Sequence, residues 1–178
     1  DGYTFKNYQT LPGDCSPLTH NRFFKVTEGA LGYLWVTTYD NKLFRFDRNR
    51  EQFTDVVRAS EKLAGTSFKV SRYLNASGHD TWIALEEAGL IRVTSGPDGE
   101  VNVTDYFDNE EIGKKITGLF EEKNGRIWVI SETGIACLSP SEKDYDISLF
   151  SSASDVSSIV EMDRFVCFGA GTELLVLD

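Results

Sequence analysis

A tryptophan-bearing segment recurs along this chain at a nearly constant interval, and it constrains the fold more than any other feature. The sequence has three tryptophans; Trp82 follows Trp35 by 47 residues, and Trp128 follows Trp82 by 46. Each lies in a short apolar stretch that is followed by a polar turn and a second apolar stretch. A repeat of about 40–50 residues is typical of propeller blades and solenoid units.

The third copy of this segment has the clearest pattern of a β-hairpin. Asn124-Gly125 is a strong turn signal, because both residue types tolerate a positive φ. Residues 126–131 then form a predicted strand around Trp128, and residues 135–138 form its partner beyond a second turn. A fourth, shorter copy near the end of the chain has Val166 in place of the tryptophan.

The composition and the repeat together predict an all-β fold. Hydrophobic residues make up 40% of the chain, and β-branched and aromatic residues dominate the apolar stretches, as expected for a folded β protein. We predict a β-propeller or propeller fragment with about four blades of four antiparallel strands, forming one domain over residues 1–178. The predicted blade units span residues 22–57, 68–107, 116–150 and 156–178, with an N-terminal outer strand over residues 3–8.

Two arrangements of these units remain open at the level of sequence. The last unit ends after three strands, and in propellers the missing outer strand can come from the other terminus. The four units therefore either close as a small ring or form an arc of a larger one. An arc would leave an apolar blade face uncovered at each end.

The tryptophans and cysteines are interpreted as structural residues. The tryptophans share one mid-strand position, which favours a core between blades over a set of sugar-stacking platforms. The three cysteines, Cys15, Cys137 and Cys167, have no metal-binding spacing, and their odd number argues against a disulfide framework. We expect all three to be free thiols.

Charge and motif content exclude several function classes. The net charge of −10 opposes binding to nucleic acid, and also to polyanions unless a local basic patch overrides it. No apolar run approaches the roughly 20 residues that span a bilayer, so we expect no membrane contact. His20 and His79 are isolated, and the acidic stretch around Asp144 and Asp146 is interpreted as solvated surface. We expect no cofactor, no metal site and no catalytic residue.

The repeat resembles the two-component regulator propeller repeat. The resemblance rests on the segments 32–35 with 43–47, on Trp82 with residues 89–92, and on residues 124–128 with 134–135. Repeats of this kind build the sensor ectodomains of Bacteroides-type hybrid two-component histidine kinases. The chain departs from the usual pattern at Lys42, where glycine is common, and in lacking Gly-Thr after the tryptophans.

The resemblance implies a periplasmic sensor domain that recognises oligosaccharide breakdown products and signals to a histidine kinase. Its expected partners are an oligosaccharide, the remainder of the same sensor propeller and a homodimer partner. The alternative is a non-catalytic β-propeller scaffold for protein interactions.

The expected ligand surface is one end of the blades, where the loops before the inner strands meet the turns after the tryptophan strands. Loops on a rigid scaffold are where binding residues usually lie, although plain solvated loops would show the same pattern. The candidate ligand-binding residues are His20, Arg22, Tyr39, Asp40, Glu86, Glu87, Lys115 and Glu132.

Overall fold

The computed structural model describes residues 4–11, 13, 16–58, 67–96, 98–142 and 144–178. The regular structure of this part consists of fifteen β-strands and one 3-10 turn, Ala30–Gly32. The all-β prediction is confirmed.

The strands form four sheets in chain order. The first sheet contains β1 (Phe23–Glu28), β2 (Leu34–Thr38), β3 (Leu43–Asp47) and β4 (Gln52–Asp55). The second contains β5 (Val70–Asn75), β6 (Asp80–Leu85), β7 (Gly89–Ser95) and β8 (Val101–Asp105). The third contains β9 (Ile116–Glu121), β10 (Ile127–Ser131), β11 (Gly134–Pro140) and β12 (Tyr145–Ser151). The fourth contains β13 (Val156–Met162), β14 (Phe165–Ala170) and β15 (Glu173–Leu177).

Each sheet is an antiparallel meander, so each corresponds to one blade. Hydrogen-bonded neighbours follow chain order in all four sheets, and the last sheet has three strands. The first strand of each sheet, which we call the inner strand, lies closest to the neighbouring sheets. The hydroxyls of Thr27 on β1 and Tyr73 on β5, for example, lie 2.8 Å apart.

The three tryptophans lie in the cores between adjacent sheets, as predicted. Trp35, Trp82 and Trp128 are 2%, 0% and 1% exposed. Trp35 packs against the second sheet, Trp82 against the third and Trp128 against the fourth. Because each indole fills the space between its own sheet and the next, the spacing of the tryptophans along the chain follows the spacing of the blades.

An arginine opposite each of the first two tryptophans ties its sheet to the next one. Arg45 pairs with Trp35 across β2 and β3, and Arg92 pairs with Trp82 across β6 and β7. Arg45 is 3% exposed and donates to the Ser95 hydroxyl at 2.9 Å. Arg92 reaches the third sheet, where it contacts Asp144. Assigning Asp144 to solvated surface was therefore wrong, because the ion pair holds it at a blade junction.

A glutamate on an inner strand makes a second kind of contact between neighbouring sheets. The Glu121 carboxylate accepts hydrogen bonds from the backbone N–H of Ser77 at 2.9 and 3.0 Å. The Glu161 carboxylate accepts one from the backbone N–H of Lys123 at 3.1 Å. Both bonds join a turn of one sheet to the inner strand of the following sheet, so successive blades are held by charge-assisted bonds.

The Asn124-Gly125 turn is present, but it is longer than a two-residue hairpin. Gly125 has a φ of 84°, whereas Asn124 is not among the residues with positive φ. The Glu122 N–H bonds the Arg126 carbonyl, and the Gly125 N–H bonds the Glu122 carbonyl at 2.8 Å. The Asn124 side chain stabilises the turn by accepting from the Arg126 N–H at 3.0 Å.

The predicted N-terminal strand over residues 3–8 is wrong for the described part, residues 4–8, which has no regular secondary structure; Tyr3 lies outside the described residues. This segment instead packs through its side chains on the first sheet. The Tyr8 ring lies 4.9 Å from the Phe46 ring, and Lys6 pairs with Glu51. The alternating residues of this segment therefore contact the first sheet through their side chains, without backbone hydrogen bonds of a β-strand.

The four sheets form an arc whose two outer faces are not covered by another described sheet, although Tyr8 packs on that of the first sheet. Buried clusters join the first sheet to the second, the second to the third and the third to the fourth, and within the described residues none joins the fourth to the first. Apolar side chains are exposed on both terminal sheets: Phe24 (70%), Val26 (55%), Met162 (61%) and Leu174 (69%). The sequence left open whether the four units close as a small ring or form an arc, and the structure has the arc.

Two of the three cysteines fall within the described residues, and both are free thiols as predicted. Cys137 is buried on β11, at the position that Arg45 and Arg92 occupy in the first two sheets, and Cys167 is partly buried on β14. Burial raises the pKa of the Cys137 thiol, which keeps it protonated and unreactive. Cys15 lies outside the described residues.

Candidate functional site

All eight predicted ligand-binding residues lie at one end of the arc. In the first sheet, Phe23 at the start of the inner strand pairs with Thr38 at the end of β2; in the second, Val70 pairs with Leu85. This antiparallel pairing brings the loop before each inner strand next to the turn that follows the second strand. We call this the upper end; its turns are residues 39–42, 86–88, 132–133 and 171–172.

Four of the eight residues form one group on the first sheet. The His20 ring accepts a hydrogen bond from the Arg22 N–H at 2.8 Å. The Arg22 guanidinium lies 5.0 Å from the centre of the Tyr39 ring, which is 57% exposed. Asp40 accepts hydrogen bonds from the hydroxyls of Thr38 at 2.5 Å and Thr19 at 2.8 Å. The group therefore presents a cation, an aromatic face and a carboxylate to solvent.

The Asp40 carboxylate is held in its charged form. Burial opposes ionisation, but the hydroxyls of Thr38 and Thr19 donate to the carboxylate and lower its pKa below the ordinary value of 3.8. Asp40 is therefore a fixed hydrogen-bond acceptor at neutral pH.

Three further residues form a second group between the second and third sheets. The Lys115 ammonium lies 3.5 Å from the Glu87 carboxylate, and both side chains are exposed. The Glu132 carboxylate accepts from the backbone N–H groups of Lys114 at 2.9 Å and Lys115 at 2.7 Å. Burial opposes ionisation of Glu132, but these N–H bonds lower its pKa below 4.5. Glu132 thus fixes the loop that presents Lys115.

Glu86 lies between the two groups and connects them. Its carboxylate is 3.5 Å from the Asn41 side-chain amide of the first sheet, and its N–H donates to the Lys69 carbonyl at 2.8 Å. Glu86, Glu87 and Lys115 line a cavity of about 290 Å³ with Ser71 and Thr117 of the inner strands. The structure therefore brings three of the eight residues to one cavity, and keeps His20, Arg22, Tyr39 and Asp40 together beside it.

Sequence reasoning missed a second cavity, which adjoins the first along the inner strands. It has a volume of about 350 Å³ and is lined by residues of the first and second sheets and by Gly118 and Leu119 on the inner strand of the third. Its polar lining includes Lys25, Arg72 and Asn41, and Ser71 lines both cavities. The sequence does place a cation ten residues before the tryptophan in each of the first two units, Lys25 before Trp35 and Arg72 before Trp82, but it does not show that a cavity forms between them.

The described residues contain no group of three or more His, Cys, Asp or Glu side chains that could hold a metal ion. In that same part of the chain, no helix is long and apolar enough to cross a membrane. The polar groups gathered at the upper end are suited to hydrogen bonding and charge pairing with a polar ligand.

Comparisons with family models and with curated proteins give no match. Among solved structures, the chain is similar to the extracellular domain of the proposed hybrid two-component system BT3049 from B. thetaiotaomicron, with 21% identity and a TM-score of 0.61. The similarity covers 98% of this chain and 23% of that one.

Two other solved structures have the same architecture with different roles. PorZ, a surface component of the type IX secretion system of Porphyromonas gingivalis, gives a TM-score of 0.56 at 16% identity, over 98% of this chain and 28% of PorZ. Virginiamycin B lyase from Staphylococcus aureus gives 0.50 at 16% identity, over 84% of this chain and 49% of the lyase.

The chain therefore spans between about a quarter and a half of the length of these structures. At these identities the likeness establishes the architecture. The extracellular domain of a two-component system, a secretion component and a lyase share it, so function must be argued from the site. The chain has the propeller-like blade fold that these proteins share.

Proposed function

We propose that this protein is part of the extracytoplasmic, periplasmic sensor domain of a hybrid two-component regulator. In this proposal the upper end binds oligosaccharide breakdown products, and occupancy is relayed to a histidine kinase. The observation that carries the proposal is the grouping of Arg22, Tyr39 and Asp40 beside the cavity lined by Glu86, Glu87 and Lys115. The overlay of 98% of the chain on the BT3049 extracellular domain at a TM-score of 0.61 supports it. The resemblance of the tryptophan repeats to the sensor repeat supports it independently.

The chemistry of the upper end supports a sugar ligand. Sugars are bound by planar polar side chains that accept and donate hydrogen bonds, together with exposed aromatic rings. Tyr39 supplies an exposed ring beside the Arg22 guanidinium, and Asp40, the next residue of the same turn, is a fixed hydrogen-bond acceptor. Glu86 and Glu87 add carboxylates that line the adjoining cavity.

A calorimetric titration of neutral and acidic oligosaccharides against this four-bladed protein tests the proposal. We expect saturable heat with at least one oligosaccharide, and weaker binding in Lys115→Gln. Lys123→Gln is the matched control, because Lys123 is equally exposed and pairs with Glu161 at 3.8 Å, but lies at the opposite end of the sheets. Flat titrations across the whole panel would contradict the proposal.

The apolar outer face of the fourth sheet favours one further partner, namely the remainder of the same propeller. The exposed residues Val160, Met162, Leu174 and Val176 occupy alternate positions on β13 and β15, so they form one apolar face. Such a face matches the buried faces between the other sheets, and we propose that further blades cover it. A homodimer or a protein-interaction scaffold would use the same face. Light scattering tests these alternatives, because a stable dimer or larger oligomer of this chain would favour them over coverage by further blades.

A further inference from the structure

Every inner strand has a β-bulge at the same position of the repeat. The register shifts by one residue between Phe23 and Lys25, between Val70 and Arg72, and between Val156 and Ser158. On β9, Gly118 pairs with Ile130 and Ile116 pairs with Ser131, so Thr117 is the extra residue. Bulges re-aim side chains and are common beside binding sites. Here they place Lys25 and Arg72 at equivalent positions on neighbouring inner strands.

These two cations line the cavity of about 350 Å³ at the inner strands of the first three sheets. Among the described residues no carboxylate lines that cavity, although the chain has a net charge of −10. The lining of the cavity is therefore positively charged on a negatively charged protein, and such a site attracts an anion.

Neither cation is neutralised by a residue in the described part of the chain. Within the described residues, the side chains of Lys25 and Arg72 form no ion pair and no hydrogen bond with another protein group. The nearest recorded partner of Lys25 is the Tyr73 ring, whose centre is 5.4 Å from the ammonium. Arg92, by contrast, contacts Asp144 at 2.7 Å in a neighbouring junction. Both cations are thus available to a ligand.

A buried hydroxyl in the same cavity is also without a partner. Thr37 lines the cavity and is 9% exposed, yet its Oγ1 has no hydrogen-bond partner among the described residues. A buried hydroxyl without a partner costs about 1–3 kcal/mol, so such groups are usually satisfied. The adjacent Thr38 hydroxyl, by comparison, donates to Asp40. A ligand oxygen in the cavity would satisfy Thr37.

The apolar part of the lining is held in place. The Tyr73 hydroxyl lies 2.8 Å from the Thr27 hydroxyl, and its ring packs at 6.5 Å from the Trp35 ring. Phe24, at the bulge of β1, adds a ring that is 70% exposed. Aromatic rings at the rim of a polar cavity can pack against the C–H faces of a sugar.

We propose that this cavity binds the acidic group of a short anionic saccharide, a carboxylate or a sulfate, through Lys25, Arg72 and the Thr37 hydroxyl. The inference rests on the proposed function and specifies the ligand class. The net negative charge around the cavity opposes longer polyanions, so short oligosaccharides with few acidic groups are preferred.

Calorimetry with three probes tests this inference: digalacturonate, the uncharged digalactoside of the same linkage, and a digalactoside with one sulfate. We expect an acidic probe to bind at least about tenfold more tightly than the uncharged one, with an affinity that falls as salt is added. Lys25→Gln and Arg72→Gln should each weaken that binding about tenfold. Arg164→Gln is the control, because Arg164 is exposed on the fourth sheet, and it should bind like the parent protein.

The outcomes separate this inference from the proposed function. Equal binding of charged and uncharged probes, or acidic binding that survives Arg72→Gln, would overturn the acidic site and leave saccharide recognition standing. No binding by any of the three probes would overturn the acidic site, while the wider oligosaccharide panel decides the proposed function. Preference for one of the two acidic probes identifies the anion as carboxylate or sulfate. Thr37→Val, which keeps the side-chain volume, should weaken the acidic probe and leave the uncharged one unchanged.

Discussion

The guanidinium of Arg92 lies 2.7 Å from the carboxylate of Asp144, across the junction between the second and third blades. The same guanidinium lies 5.8 Å from the Trp82 ring centre and 5.3 Å from that of Tyr145. Tyr106 also lies close to Asp144, with its hydroxyl 3.2 Å from a carboxylate oxygen. One ion pair thus links two sheets and lies among three aromatic rings.

Replacing Arg92 with methionine should destabilise the protein by about 1–2 kcal/mol, since it removes a partly screened charge-assisted bond but keeps much of the side-chain volume. Arg164→Met is the control, because Arg164 pairs with Asp178 while 73% exposed and should change stability by less than about 0.5 kcal/mol. Urea unfolding measures both variants. Equal effects of the two substitutions would contradict the role of Arg92 as a tie between blades.

Trp128 and Trp82 should respond differently to replacement by phenylalanine. Trp128 Nε1 donates to the buried Glu122 carboxylate at 3.1 Å, whereas Trp82 Nε1 has no partner among the described residues. Ala76 stands in the second sheet where Glu122 stands in the third, and each donates its N–H to the residue four positions later. Both substitutions leave a cavity, but only Trp128→Phe also breaks a bond.

We therefore expect Trp128→Phe to cost about 1 kcal/mol more than Trp82→Phe in urea unfolding. The pair forms its own control, because both indoles are fully buried at the same position of the repeat. A larger loss for Trp82→Phe would show that packing, and not the Glu122 bond, separates the two sites.

Tyr106 should make the protein sensitive to alkaline pH. Burial raises the pKa of the Tyr106 hydroxyl well above its ordinary value of 10, against the opposing charge of Arg92, and Asp144 raises it further. The unfolded chain ionises this tyrosine near pH 10 while the folded protein keeps it protonated, so its contribution is complete below pH 10 and is lost as the pH rises above it. Tyr106→Phe should lose less stability than the parent between pH 8 and pH 10.5.

Urea midpoints at those two pH values provide the measurement. Tyr145, whose pKa is also raised by burial, leaves a residual alkaline sensitivity in the variant. An identical loss in parent and variant would contradict the assignment to Tyr106.

Glu132 should contribute to stability at neutral pH and not in acid. Its folded pKa is lowered below 4.5, so its contribution is present above about pH 4.5 and is lost as the pH falls through the folded value. Glu132→Gln should therefore lower the urea midpoint at pH 7, and the difference from the parent should shrink towards pH 3. Glu173→Gln, an exposed site on β15, is the control and should leave the midpoint unchanged at both pH values. A difference that stays constant with pH would count against the carboxylate bonds.

Much of the fold could be predicted from the sequence because each blade repeats one local pattern. The tryptophans mark the second strand of three sheets, and their burial follows from that shared position. The strand over residues 3–8 was predicted wrongly. Alternating side chains show that one side of a segment packs on the protein, but they do not show that its backbone pairs with another strand. Tyr8 satisfies the pattern by packing on Phe46.

The sites between blades were less accessible to sequence reasoning. The predicted residues at the upper end lie where the antiparallel connections place them, because strand order alone fixes that end. The cavity with Lys25 and Arg72 depends on bulges and on the angle between two sheets, neither of which has a sequence signature. Asp144 was missed as a partner of Arg92 for the same reason: the contact exists only after the second and third sheets pack.

The central claim, that the upper end binds saccharides, is tested most directly by amide chemical-shift mapping during an oligosaccharide titration. The account predicts that shifts cluster at residues 37–41, 71–73, 86–87 and 114–117, around the two cavities of the upper end. Shifts confined to the turns at the opposite end, residues 76–79, 123–125 and 163–164, or no shift with any oligosaccharide, would contradict it.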